Sequence, residues 1–196
     1  MTLDVIDHKN AATDVPVHPL LSRRWSSRAF DPAHELADEQ VTALLEAARW
    51  APSASNTQPW RFAVAHRGTA EHEAVLATLA AGNQTWARDA SALIVVAART
   101  TAADGAAQPW AVYDAGQAAA HLSVQAQAEG LAVHQMGGFD RDRLTSVLAA
   151  EGVTPLVVVA IGLRDEPTRL TGSFAERETA ARVRLPIDEL LLPVQV

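Results

Sequence analysis

The chain has 196 residues, 48% of them hydrophobic and 20% charged, which are the proportions of a folded protein rather than of a disordered or fibrous one. It contains no cysteine, which excludes a disulfide framework, a thiolate nucleophile and a cysteine-held metal, and suits the cytoplasm. The formal net charge of -7 sets it against the basic balance of most nucleic-acid binders.

In chain order, the opening MTLDVIDHKNAATDVP has no basic start followed by an apolar run, so no secretory signal is expected there. Residues 1–16 are polar and aperiodic and are read as a mobile N-terminal arm, followed by a single domain over 17–196. Asp38 to Arg49 places Val41, Leu44, Leu45 and Ala48 at helical spacing, and Pro52 forces a stop near Trp50. Arg61 to Ala65 reads as a short strand. Glu71 to Ala81 reads as a helix ended by Gly82. Ala92 to Ala98 is an unbroken apolar run, as in a buried strand.

Trp110 to Glu129 is a long helix with Gly130 just past its end. It is lined with Ala115, Gly116, Ala118, Ala119, Ala120 and Ser123, small residues that let another helix approach closely. A buried central helix and a subunit-interface helix are both open at this point. Leu131 to Gln135 is a strand running into Gly137 and Gly138. Asp140 is a good N-cap for a helix through Ala150 with Leu144, Val147 and Leu148 inward. Thr154 to Ile161 is another buried strand. From about Arg164 onward the chain is expected to be irregular and then extended. Helices alternating with strands indicate an α/β or α+β class, with helices around one sheet.

No apolar run is long enough to span a bilayer. There is no GxGxxG dinucleotide turn, no GxxxxGK[ST] phosphate loop and no GxSxG elbow. The seven histidines, His8, His18, His34, His66, His72, His121 and His134, show no HExxH spacing, so surface or core positions are expected and no metal site. An enzyme with no nucleophile, metal cluster or acid/base pair of its own borrows chemistry from a cofactor.

Two segments carry chemistry. In RRWSSRAF, Arg23 to Phe30, the alternation of Arg24, Ser26 and Arg28 points two guanidinium groups and a hydroxyl the same way in an extended segment. Such a set suits phosphate oxygens, although a basic cluster is more often a solvated face. In APSASNTQPWRF, Ala51 to Phe62, Asn56 and Gln58 offer donors and acceptors of the kind needed to read a heteroaromatic edge. A turn closed by Asn and Ser side chains is the alternative.

Together the segments resemble the nitroreductase family of flavoproteins, whose pattern is R-x-S-x-[RK] followed some twenty-five residues later by P-S-x-x-N-x-Q-P-W. Here these stand at Arg24 to Arg28 and Pro52 to Trp60. The resemblance implies an FMN site. Arg24, Trp25, Ser26, Ser27 and Arg28 would hold the phosphate and ribityl chain. Pro52, Ser53, Ala54, Asn56 and Gln58, from the other subunit, would lie near the isoalloxazine. Asn83 looks like the family asparagine that contacts the flavin, while Trp86 stands where some members have a lysine. Gln135, Met136, Gly137 and Gly138 would run along the ring, with the Gly137 N–H toward N5. Arg182 and Arg184 would close on the phosphate, Arg184 the surer of the two.

The fold so implied is α+β: a mixed, mainly antiparallel sheet flanked by helices, in a homodimer that exchanges C-terminal arms. The activity implied is electron transfer from NADH or NADPH through FMN to a nitroaromatic, quinone, azo dye or free flavin by a ping-pong scheme. The flavin does the chemistry, so no catalytic side chain is assigned. The short Arg99 to Tyr113 segment implies an open pocket. Three other readings stay open: a member that dehydrogenates or dehalogenates a specific substrate, a flavin-binding module without turnover, and a cofactor-free scaffold. The Arg and Asn positions argue against the last.

Overall fold

A computed structural model describes residues 9–195. Among them a four-stranded sheet runs in the order β1-β2-β4-β3, with β1 Trp60–His66, β2 Ala92–Arg99, β3 Ala132–Met136 and β4 Val153–Gly162. All three pairings are antiparallel. The central position of β2 explains its composition. It is covered on both faces, so its run ALIVVAA has no polar side to show.

Alternate residues of β2 build two cores. Ile94 and Val96 face α2 (Asp38–Arg49) and α5 (Ala111–Ala128), packing with Leu44, Ala115, Ala118 and Leu122. Leu93 and Val95 face α3 (Ala70–Leu76), α4 (Ala81–Ala87) and α6 (Arg141–Leu148), packing with Val75, Leu76, Trp86 and Leu144. Burying each of these Leu or Ile side chains contributes roughly 1.5–3 kcal/mol. The register of β2 on β4 shifts between Val96 and Ala97, where Pro155 lies opposite Ala97. β3 has already ended beside that stretch, so the missing proline N–H leaves no ladder partner unsatisfied.

Most expected elements appear within a residue or two of their expected ends. Gly130, at φ +75, ends α5 in the left-handed conformation that glycine adopts freely. Asp140 caps α6 by accepting from the Arg143 N–H at 3.0 Å. The expected helix over 71–81 is instead two short helices. Residues 78–80 leave the helical path because they bond to the segment after β3: Ala80 N–H donates to Gly138 O and Asp140 N–H to Thr78 O. Gly82 therefore lies inside α4 rather than ending α3. Helix α6 stops at Leu148 because Ala149 turns left-handed, so Val147 sits at the rim, 36% exposed, and only Leu144 is fully buried.

The segment after Arg164 is less irregular than expected. Two 3₁₀ turns, at Pro167–Arg169 and Ile187–Leu190, flank a short helix, α7 (Ser173–Thr179). Helix α7 shows no apolar periodicity; tertiary bonds from its Glu178 hold it. The first eight residues of the expected mobile arm lie outside the described residues. From Lys9 onward the chain is tied down: the buried Lys9 ammonium donates to Arg177 O and Ala180 O at the end of α7, and Ala11 N–H donates to Ser22 O. Among the described residues no helix is long and apolar enough to cross a membrane.

One glycine is fixed by space. A Cβ on Gly162 would come within 2.8 Å of Ser91 Oγ and 3.0 Å of the Ser91 backbone N. Gly162→Ala is expected to destabilise the fold by about 1–3 kcal/mol through overpacking, read as a lower urea midpoint at unchanged slope. An unchanged midpoint would contradict this close approach.

Candidate functional site

The segment from Arg23 to Ala29 runs extended from α1 (Pro19–Ser22) to the bridge between Phe30 and Arg164. The expected alternation holds for Arg24 to Ser27 but does not bring Arg28 to Arg24, and one buried carboxylate organises the segment. Glu178 on α7 accepts from the Ser27 hydroxyl, from the Arg28 backbone N–H at 2.9 Å and from Trp25 Nε1 at 3.4 Å. Trp25 is also covered by the Arg164 guanidinium, 4.5 Å from its ring centroid. With Trp25 and Ser27 turned inward, Arg24 and Ser26 are left on the opposite side. Ser26 is exposed and Arg24 half-buried.

Arg24 is brought beside the C-terminal arm. Burial, and after it the charge of Arg184, pushes the Arg24 guanidinium below its ordinary pKa. Arg182 is lowered by burial and then by Arg24 and Arg184. Arg182 donates to Lys9 O at 3.0 Å and Ser22 O at 2.6 Å, whereas Arg184 bonds, among the described residues, only to the carbonyl of its neighbour Val183. Among the described residues no carboxylate pairs with any of the three. Three mutually repelling guanidinium groups with no counter-ion match a dianionic phosphate in charge and in donor geometry.

Arg28 stands apart from that trio. Its guanidinium lies 5.8 Å from the ring centroids of both Trp86 and Phe174, and its Nε is buried without a partner among the described residues. Burial lowers its pKa, Glu178 opposes that shift, and Arg177 adds to it. Trp86 in turn packs on His134, ring centroids 4.6 Å apart. His134 Nδ1 lies 3.1 Å from Ser27 O, so that nitrogen carries the proton in the neutral ring. Burial first, and then Arg28, hold the His134 pKa down at about 4; the bond to Ser27 O works the other way.

The turn after β3 closes this side of the site. A Cβ on Gly138 would press on Asn83 Nδ2 at 3.3 Å and touch Ala80 Cβ at 3.5 Å, and the Asn83 amide donates to Gly138 O at 3.4 Å. Gly137 is exposed, with open space where a Cβ would stand. Of the neighbouring candidates, the Met136 side chain is buried in the core and the Gln135 amide is turned onto Ser123 Oγ and Ala119 O of α5. Met136 can therefore offer only backbone to a ligand on the Gly137 side, while Gln135 is exposed.

The loop 52–58 is strained. Ser55, Asn56 and Gln58 all have positive φ, at 50, 55 and 47 degrees, each costing on the order of 1 kcal/mol. Its ties run elsewhere than to the arginine segment. Ala54 N–H donates to the buried Asp114 of α5 at 3.0 Å, Gln58 N–H to Ser53 Oγ, and the Gln58 amide to Asn56 O. Pro52, Asn56 and Gln58 are exposed. One chain therefore brings Arg24 beside Arg182 and Arg184, Arg28 and His134 against Trp86, and Asn83 onto Gly138, and holds 52–58 by other bonds.

The profile of the Nitroreductase family matches residues 21–163. The chain belongs to the nitroreductase family. An oxidoreductase whose crystal structure contains FMN is 36% identical, with a TM-score of 0.89 and coverage of 95% of this chain and 96% of that one. The Bacillus subtilis protein YdgI, provisionally named an NAD(P)H nitroreductase, is 28% identical over 209 residues, covering 87% of this chain and 94% of its own. A provisionally named nitroreductase from Exiguobacterium sibiricum, crystallised with FMN, shares the fold at 23% identity and a TM-score of 0.74, covering 94% of this chain and 100% of that one.

Sequence reasoning missed three residues that organise this region. Glu178 gives no signal, being one acid in a polar stretch. His134 was grouped with histidines of no special role. Asp114 did leave a trace: it falls in phase with Ala111, Ala115, Ala118 and Leu122, and a carboxylate on an apolar helix face marks a buried polar contact.

Proposed function

We propose that this protein is an FMN-dependent oxidoreductase that takes electrons from NADH or NADPH and passes them to planar acceptors such as quinones and nitroaromatics, working as a homodimer. The observation that carries the proposal is the uncompensated trio Arg24, Arg182 and Arg184. The relative that contains FMN, at 36% identity over nearly the whole chain, supports the choice of ligand. Arg24, Arg184 and, through its remaining donors, Arg182 would hold the phosphate, with Ser26 beside the ribityl chain. Asn83 and the backbone of 135–138 would border the ring. When bound, FMN supplies the redox chemistry, accepting a hydride from reduced nicotinamide and releasing electrons to an acceptor. The chain's part is to bind, to orient, and to present the Gly137 N–H in a turn that no side chain obstructs. No side chain is assigned as acid or base.

The homodimer is supported by unburied apolar surface. In the single chain, Val183, Leu185, Ile187, Leu190, Leu191, Leu192 and Val194 are all strongly exposed, as are Trp50, Trp110 and Tyr113. On α5 the outward stripe Val112, Tyr113, Gly116 and Ala120 is apolar, so this helix is buried on one face by its own chain and free on the other. Contiguous apolar surface of this kind calls for a partner, and a second copy supplies the 52–58 loop to complete each site. The segment from Thr100 to Gln108 is a tight turn bridged between Thr101 and Ala107, too small to close over a pocket.

The test is an absorption spectrum of the purified protein followed by anaerobic addition of NADPH or NADH. The expected result is a yellow protein that releases FMN on denaturation, is bleached by the nicotinamide, and is reoxidised by both a quinone and a nitroaromatic with parallel double-reciprocal lines. Protein that cannot be loaded with FMN would overturn the proposal. Loaded protein that neither nicotinamide bleaches would leave a flavin-binding module or a substrate dehydrogenase.

A further inference from the structure

The phosphate-binding trio is assembled from two segments far apart in sequence: Arg24 from the extended segment before Phe30, and Arg182 and Arg184 from the arm after α7. Only a few contacts register one on the other. Three of them end on the carboxylate of Glu178, which is 4% exposed. Its two oxygens divide the work. Oε1 takes the Ser27 hydroxyl and Trp25 Nε1, and Oε2 takes the Arg28 backbone N–H. The same carboxylate offsets the burial of Arg28, Lys9 and Arg164, each of which would otherwise be a desolvated cation. Lys9 in turn caps the end of α7 through Arg177 O and Ala180 O, and Arg182 clasps Lys9 O and Ser22 O.

We propose that Glu178 is a positioning residue for the phosphate site: it locks the alternation of 24–28 so that Arg24 and Ser26 face the arm, and it touches no ligand itself. The proposal rests on the FMN assignment above and deepens it. It makes a prediction opposite in sign to simple electrostatics. A carboxylate near an anion site repels the anion, so removing its charge should tighten FMN binding if charge alone mattered. If Glu178 acts by positioning, removing the charge weakens binding, because the Arg28 N–H loses its acceptor and the segment is free to twist.

The experiment measures FMN affinity of deflavinated protein by flavin fluorescence for wild type, Glu178→Gln, Glu178→Asp, Ser27→Ala and the remote surface control Glu46→Gln. Glu178→Gln keeps one acceptor oxygen but places an amide NH₂ where Oε2 accepts. The expected result is a Kd for FMN raised about ten- to a hundredfold in Glu178→Gln, less in Ser27→Ala, partly restored in Glu178→Asp and unchanged in the control. At saturating FMN, the KM for the nicotinamide and the kcat per bound flavin should return to wild-type values, which general damage to the site would not allow. An unchanged or tighter Kd in Glu178→Gln overturns the proposal. A wild-type protein that fails to bind FMN overturns the FMN assignment instead. Circular dichroism checks the fold of each variant; should Glu178→Gln unfold, Ser27→Ala, which leaves the carboxylate in place, carries the test with the same two outcomes.

Discussion

Deleting residues 182–196 is expected to turn a flavin-loaded dimer of about twice the 20.9 kDa chain mass into a monomer that retains no FMN. Two effects combine. The deletion removes seven large apolar side chains that are 58–90% exposed in the single chain and that the proposed dimer would cover with a second copy. It also removes two of the three guanidinium groups proposed to hold the phosphate. Each charge-assisted hydrogen bond contributes about 1.5–3 kcal/mol, so losing two weakens FMN by roughly 10²- to 10⁴-fold. Point variants separate the effects. Arg184→Ala should release FMN and leave the dimer intact by light scattering, because among the described residues Arg184 bonds only to Val183 O. Leu191→Asp paired with Leu192→Asp should split the dimer. A truncated chain that remains a yellow, active dimer would refute both the arm exchange and the arginine trio.

What could be seen in the sequence follows from the range of the forces involved. Strand β2 and helices α2 and α5 are long, periodic segments whose burial is dictated by their own composition, and their limits come out within a residue. The split between α3 and α4 was hidden because its cause is non-local: residues 78–80 bond to 138–140, some sixty positions on. Helix α7 was hidden for the same reason, its stability coming from Glu178 and from Phe174 against Arg28 rather than from any repeat of its own. At the candidate site, the shared outward side of Arg24 and Ser26 could be read, since an extended segment must alternate. That Arg28 would leave the other arginines for a slot between Trp86 and Phe174 could not, because both rings come from elements placed by the tertiary fold.

Acidification should weaken this protein through His134, in a window that its environment defines. An unperturbed histidine titrates near 6.5, whereas His134 is held at about 4 by burial and by Arg28. Between those values the unfolded chain binds a proton that the folded one refuses, so stability rises with pH across the window and falls as pH drops through it. The stabilisation is fully present above about pH 6.5. It declines by up to about 3 kcal/mol as the pH approaches 4, and below that His134 makes no further difference. His72, buried on α3 and also lowered mainly by burial, adds a contribution of the same sign, so a variant is needed to isolate His134. His134→Asn leaves an amide that can still donate toward Ser27 O but cannot be charged at these pH values. Urea midpoints measured from pH 7 to pH 4.5 should fall more steeply for the wild type than for His134→Asn, so that a variant less stable at pH 7 draws level in acid. Flavin release from the folded protein should begin only as the pH approaches 4, where the imidazole itself takes a charge beside Arg28 and Ser27 and pushes apart the contacts that hold the 24–28 segment. Parallel pH profiles for the two proteins would show that His134 accepts a proton in the folded state at its ordinary pKa.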